Sequence, residues 1–108
     1  MYARVTSFVV KPYQAKKFCD TIGDVARQIA ARQEGFIEHL ILISEEEKRL
    51  VTVISLWQTK TDADRYHADV FPCVLARLMP LVDSGPHISY CSAISDALVR
   101  SSGSEANV

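Results

Sequence analysis

The chain has 108 residues and a formal net charge of -1, with 48% hydrophobic and 23% charged residues. This composition predicts one ordinary folded domain with a modest core, and it excludes a disordered or fibrous chain. Lysine and arginine are spread along the sequence rather than clustered, so we expect no nucleic acid and no anionic membrane as a partner.

Sequence features also bear on location and redox state. No apolar run approaches the length of a transmembrane helix, and the N-terminus lacks the apolar stretch and cleavage site of a secretory signal. We therefore expect a cytoplasmic protein. Cys19, Cys73 and Cys91 are odd in number and have no CxxC spacing, which argues against a disulfide framework and against a zinc site. Reduced, mostly buried thiols are expected.

The first third of the chain predicts a strand, a helix and the start of a second strand. Residues 2–10 (YARVTSFVV) are rich in β-branched and aromatic residues and alternate loosely. Pro12 suits the first turn of a helix, and Gly35 suits a helix end. Between them, apolar residues at helical spacing form one stripe. The stripe consists of Phe18, Ile22, Val25 and Ile29.

Two strands and a hairpin follow. FIEHLILIS, from Phe36 onward, and RLVTVISLW, residues 49–57, both read as strands, and the acidic EEEK at 45–48 reads as the solvated tip between them. The two strands should therefore be antiparallel neighbours. Both are apolar on two faces.

The last part predicts helical structure and a fourth strand. Thr61 can cap a helix, and Asp64, three residues later, can complete a capping box with it. Pro72 interrupts that helix. After Pro72 a further helical turn would place four apolar residues inward: Phe71, Leu75, Leu78 and Met79. DSGP at 83–86 breaks the chain, and HISYCSAI at 87–94 alternates as a strand.

The resulting order, β-α-β-β-α-β, predicts a ferredoxin-like α+β fold, in which two helices cover one face of a four-stranded antiparallel sheet. The other face would leave about half a dozen large side chains uncovered, and burying them is worth on the order of 10 kcal/mol before association costs. A second copy is the simplest cover. We therefore expect a homodimer with its sheets face to face, burying more than ~1,200 Å².

Four stretches together are specific for one family: ARVTSFVV followed by Pro12, EGFIEHLILI, SLWQTKTDADRYHADVF and GPHISYCSAI. Through them, over about residues 2–95, the chain resembles the antibiotic biosynthesis monooxygenase (ABM) domain proteins, which are dimeric α+β barrels. The resemblance implies a domain over residues 1–95 and a tail over 96–108. It also implies relatives that oxygenate quinol or anthrone-like polyketides without metal or flavin, and others that degrade haem.

The haem-degrading branch is not expected. In that branch the resemblance implies an Asn on the first strand, a Trp on the second helix and a His on the next helical segment. Those positions hold Thr6, Tyr66 and Leu75 here, so the iron ligand is missing. What the fold still implies is a pocket between helices and sheet for a flat aromatic molecule, with Thr6 and Leu75 beside it.

Oxygenation without a cofactor needs a base, a polar group that orients the substrate and an aromatic wall. His39 and His67 are the candidate bases, because a neutral imidazole can deprotonate a phenol near neutral pH. Tyr66 or Tyr90 would hold a substrate oxygen, and Trp57 would form the wall.

Each candidate has a structural alternative. His39 suits a core or interface position, His67 could point to solvent, and Trp57 could fill the core or anchor an interface. His39 and Trp57 face opposite sides of the sheet if the hairpin has a two-residue turn, and the same side if its loop has three residues.

The resemblance therefore implies a cofactor-independent monooxygenase acting on an aromatic or quinol-like molecule. The alternative is a non-catalytic dimeric barrel that binds a hydrophobic small molecule. The sequence identifies no substrate.

Overall fold

In a computed structural model of the protein, residues 1–94 are described. The proposed tail, residues 96–108, and Ser95 at the proposed domain boundary lie outside the described residues. The elements run in the order β1 Tyr2–Val10, α1 Ala15–Gln28, β2 Phe36–Ile43, β3 Leu50–Trp57, α2 Lys60–Asp69, α3 Phe71–Leu78 and β4 Val82–Ser92, with short 3-10 turns at Ala30–Arg32 and Met79–Leu81.

The four strands form one antiparallel sheet in the order β2-β3-β1-β4, and the ferredoxin-like prediction is confirmed. The second helical region consists of two helices, since α2 ends at Asp69 and Pro72 lies in the first turn of α3. A proline there loses no helical hydrogen bond, so it can begin a helix although it cannot continue one.

The inner face of the sheet and the three helices enclose the core. Alternate residues of β1 and β3, including Phe8 and Val51, meet the predicted stripe of α1, in which all but the last residue are buried. The inward position predicted for Met79 is wrong, because its side chain is 44% exposed. Val74 is buried instead, three residues after Phe71 and four before Leu78, and Met79 already belongs to the following 3-10 turn.

The cap of α2 also differs from the prediction. The Thr59 hydroxyl, not that of Thr61, accepts the hydrogen bond from the backbone N–H of Asp62 at 3.1 Å. Thr61 lies inside the helix and is exposed. Thr59 has the extended backbone that a capping residue requires, and the helix therefore begins two residues earlier.

Strand β4 begins at Val82 rather than His87 because the DSGP segment belongs to the strand. Val82 pairs with Val10, while His87 pairs with Ser7, and the register shifts between them. Gly85 lies within this irregular part with a φ of +107°, and a Cβ there would approach the backbone of β1. The segment is thus a distorted strand that needs its glycine, not a loop.

No helix within residues 1–94 lies over the outer face of the sheet. Leu40 and Leu42 of β2 are 41% and 51% exposed, and Ile54 and Leu56 of β3 are half-buried. This confirms the second apolar face predicted from the sequence.

The cysteines are free, but they are less buried than predicted. Cys19 is half-buried, Cys73 lies on the solvent side of α3, and Cys91 is exposed on the edge strand β4. Within residues 1–94, no helix is long and apolar enough to cross a membrane.

Candidate functional site

A cavity of about 20 Å³ lies between the inner face of the sheet and the three helices. Its volume suits one water-sized guest. Apolar side chains from α1, α3 and the strands β1 and β3 form most of the lining, and five polar side chains complete it. These are Arg4, Thr6, His39, Ser55 and Tyr66.

Arg4 is the charged residue of this cavity. Its side chain leaves the inner face of β1 and is 3% exposed. One terminal nitrogen, Nη1, donates to Thr6 Oγ1 at 3.1 Å, and Nη2 donates to His67 Nδ1 at 3.0 Å. The guanidinium carbon lies 3.9 Å from the centre of the Phe71 ring, within cation–π range. Burial lowers the pKa of Arg4, while a hydrogen bond that the guanidinium donates to the Tyr90 hydroxyl acts in the opposite direction.

His39 lies on β2 directly opposite Ser55 of β3, so it faces the inner side. Its Nδ1 atom is buried and has no hydrogen-bond partner among the described residues. Burial and, secondly, the positive charge of Arg4 lower the pKa of His39 from 6.5 to about 4. The imidazole is therefore neutral near pH 7, and it offers an unoccupied polar atom beside the cavity.

The hairpin register places His39 and Trp57 on the same side of the sheet. A bulge between Phe36 and Glu38 shifts the alternation of β2. As a result Phe36 contacts both residues, with ring centres 5.2 Å from His39 and 5.5 Å from Trp57.

Tyr66 and Trp57 form an aromatic wall in two layers. Tyr66, on α2, lines the cavity, and Trp57 packs behind it with the ring centres 5.0 Å apart. Trp57 is fully buried, its Nε1–H donates to Ser55 Oγ at 3.0 Å, and it does not line the cavity. Burial raises the pKa of Tyr66, while the charge of Arg4 lowers it. Tyr66 is thus a protonated phenol that can donate a hydrogen bond into the cavity.

The other predicted residues lie at different distances from the cavity. Thr6 lines it and accepts a hydrogen bond from Arg4. His67 does not line it but supports Arg4, and because arginine only donates, the Nδ1 atom of His67 must be the unprotonated one. Burial and the charge of Arg4 lower the pKa of His67.

Leu75 and Tyr90 lie outside the lining. Leu75 is half-buried and packs against the core. Tyr90 is 39% exposed and stacks on Tyr2 with 5.9 Å between the ring centres. It also lies edge-on to His67 at 6.3 Å.

Sequence reasoning missed Arg4 and Ser55. A signal for Arg4 was present, because it precedes Thr6, Phe8 and Val10 at every second position of β1. An arginine in the inward register of a buried strand is rare unless it has a partner or a function. Ser55 had no such signal. Among residues 1–94, no group of three or more potential metal ligands converges.

The fold and the site thus define a ferredoxin-like α+β domain with a largely apolar cavity, lined in part by polar side chains, between helices and sheet. The sequence profile of the family described as antibiotic biosynthesis monooxygenase matches residues 1–69, and the chain belongs to this family. Comparison with curated protein sequences gives no match.

Solved structures show the same fold at low identity. SnoaB from Streptomyces nogalater, a cofactor-independent oxygenase, is 22% identical with a TM-score of 0.72, over 87% of this chain and 93% of that one. A protein from Shewanella oneidensis is 23% identical with a TM-score of 0.69, over 83% and 87%. A conserved protein from Methanosarcina mazei is 19% identical with a TM-score of 0.71, over 83% and 89%. These similarities show the fold alone.

Proposed function

We propose that the protein is a cofactor-independent monooxygenase that acts on an aromatic or quinol-like small molecule. The observation that carries this proposal is the convergence of His39, Tyr66 and Arg4 on one largely apolar cavity. A neutral imidazole, a phenol and a cation supply a proton acceptor, a hydrogen-bond donor and a charge that stabilises a substrate anion. The family and the fold shared with SnoaB, a cofactor-independent oxygenase, support it.

In this scheme His39 removes a proton from the substrate, and the resulting anion transfers one electron to dioxygen. The two radicals combine to a peroxide. For a methylene between two aromatic rings, loss of water from the peroxide leaves a carbonyl, so that one oxygen atom enters the product and the other leaves as water. Tyr66 donates a hydrogen bond to the substrate oxygen, and apolar helix residues keep bulk water away.

The low pKa of His39 fits this role only when a substrate is bound. In the free protein an imidazolium would be buried beside Arg4, and both effects oppose its formation. Proton transfer creates a negative oxygen next to the new imidazolium, and an opposite charge at such a distance raises the pKa of the histidine. His39 thus becomes a competent base as the substrate anion forms.

The cavity must open to admit a ring, because its present volume suits only a water-sized guest. Tyr66 and Phe71 are the lining residues next to the break between α2 and α3. A displacement of these two helices from the sheet would enlarge the cavity, while the backbones of Arg4 and His39, which lie on strands, would stay in place.

We further propose that the protein works as a cytoplasmic homodimer. The exposed leucines of the outer face, Leu40 and Leu42, support a second subunit packed on that face. The free cysteines fit a reducing compartment.

Oxygen consumption tests the oxygenase. We expect the purified protein to take up dioxygen with at least one member of a panel of anthrones and hydroquinones, and to incorporate labelled oxygen into the product. His39→Gln should lower kcat by about 10²-fold or more. The proposal fails if aerobic and anaerobic incubations with the panel give identical products and no oxygen uptake.

A non-catalytic module that binds a hydrophobic small molecule is the second candidate. The small volume of the cavity favours it, because a module could keep its cavity closed until one ligand opens it. Native mass spectrometry without a co-purifying ligand, together with no thermal shift across an aromatic library, would remove this candidate.

A further inference from the structure

Arg4 differs from the arginines that make ion pairs in the described part of the chain, because it is buried and makes none. Arg27, Arg49 and Arg65 all lie at the surface and have carboxylate partners. Arg4 is the buried one, and no ion pair among residues 1–94 includes it. Removing a charge from water without a counter-charge is costly, so a buried arginine is normally paired.

The contacts of Arg4 hold the guanidinium but do not neutralise it. Thr6 and His67 are neutral acceptors, Tyr90 adds a hydroxyl oxygen, and Phe71 offers only the face of its ring. The Nε–H has no partner among the described residues, although its nitrogen is buried. The group is therefore fixed in place, lines the cavity and retains a donor for a further acceptor.

We propose that Arg4 is the receptor for an anionic oxygen of an aromatic ligand, which is a phenolate, an enolate or a carboxylate. This inference deepens the proposed function and rests on it for the position of the ligand between helices and sheet. The anion supplies the counter-charge that the protein lacks, and charge-assisted hydrogen bonds to a guanidinium are among the stronger ones that proteins make. It assigns the site to aromatic compounds with an oxygen that is ionised in solution or becomes ionised in the site, and it makes aromatic compounds that cannot form such an anion poor ligands.

Paired probes test this selectivity by isothermal titration calorimetry. Benzoate is compared with benzamide, and ionised 4-nitrophenol with the neutral 4-nitroanisole. Each pair has nearly the same shape and differs in charge. We expect the anion of at least one pair to bind about tenfold more tightly or better, which corresponds to the usual strength of hydrogen bonds to charged groups. The pair that shows the larger preference distinguishes a carboxylate ligand from a phenolate or enolate ligand.

Variants assign the preference to Arg4. Arg4→Met should reduce the ratio of the two affinities to about one, whereas Arg4→Lys, which keeps the charge, should retain part of it. Arg49→Met is the matched control, because it removes a surface arginine that already has Asp83 as its partner. That variant should leave the preference unchanged.

A thermal unfolding measurement separates ligand recognition from a structural role. Replacing an uncompensated buried charge with an apolar side chain of similar length is often neutral or stabilising. We therefore expect Arg4→Met to unfold at the same temperature as the parent protein or at a higher one. A lower unfolding temperature that Arg4→Lys restores would assign Arg4 to the fold and overturn the proposal.

The proposal that Arg4 binds an anion can be refuted independently of the proposed oxygenase activity. Equal affinity for charged and neutral probes, no binding of either, or a preference that survives in Arg4→Met would overturn the receptor. A preference for anions without any oxygen uptake would retain the receptor and remove the oxygenase. If oxygen uptake occurs and Arg4→Met does not change it, with neutral and anionic substrates alike, the oxygenase is retained and the receptor is removed.

Discussion

Each face of the sheet carries side chains that are unusual for their surroundings: buried polar groups on the inner face and exposed apolar groups on the outer face. The inner face, under the helices, holds a charge and several polar groups, among them Arg4, His39 and Ser55. The outer face, which none of the described helices covers, presents leucines and other aliphatic residues. Stability alone would favour the reverse arrangement, because polar groups cost free energy when buried and apolar groups when exposed. This difference supports the two proposals made above, a ligand at the inner polar residues and a second subunit on the outer apolar residues.

The largest expected effect concerns the outer face. Leu42→Glu should weaken dimer formation by about 10²- to 10⁴-fold, because each of two symmetric leucines loses roughly 1.5–3 kcal/mol of burial. Light scattering over a concentration series measures the change. Ile43→Glu is the matched control, since Ile43 is equally exposed, at 50% against 51%, but belongs to the other side of β2. A parent protein that stays monomeric at micromolar concentration would refute the assignment of this face.

The helical cover of the inner face depends on Gly35. Its φ is +81°, and a Cβ would overlap the carboxylate of Asp62 on α2. Gly35→Ala should therefore lower the free energy of unfolding by about 3 kcal/mol, from overpacking and the left-handed backbone together. Gly23→Ala is the control, because Gly23 lies inside α1 where a Cβ finds space. That change should raise stability by about 0.5–1 kcal/mol. Chemical denaturation measures both, and equal effects would contradict the close contact.

The buried imidazole of the inner face should make stability depend on pH. The pKa of His39 is about 4 in the folded protein and 6.5 when unperturbed. The unfolded state binds the proton more readily, so the stabilisation is fully present above pH 6.5 and is lost as the pH falls toward 4. The loss is on the order of 3 kcal/mol. His39→Leu should flatten this part of the curve in unfolding experiments, and an unchanged slope would contradict the burial of the group.

The periodic parts of the fold were predictable from the sequence, and the site only in part. The alternation of the strands and the stripe of α1 depend on burial of one face, which leaves a mark at every second or every third and fourth residue. The relative orientation of His39 and Trp57 was not predictable, since it depends on the length of the hairpin loop, which sets the register that pairs His39 with Ser55. His39 and Tyr66 were predicted as site residues and do line the cavity, whereas Arg4 was missed although it shares the register of Thr6.

The smallest expected effect concerns the residue that caps the N-terminus of α2. Thr59 and Thr61 are both plausible caps in the sequence, but only the Thr59 hydroxyl accepts the hydrogen bond from the Asp62 backbone, and it also donates to the Asp62 carboxylate at 2.9 Å. Thr59→Ala should cost about 1 kcal/mol of unfolding free energy, the usual loss for a cap, and Thr61→Ala should cost almost nothing. Urea titrations of the two variants measure the difference. Because Asp62 also meets Gly35 at the start of β2, a loss in Thr59→Ala that adds fully to that of Gly35→Ala would show that the cap and this contact stabilise the helix independently.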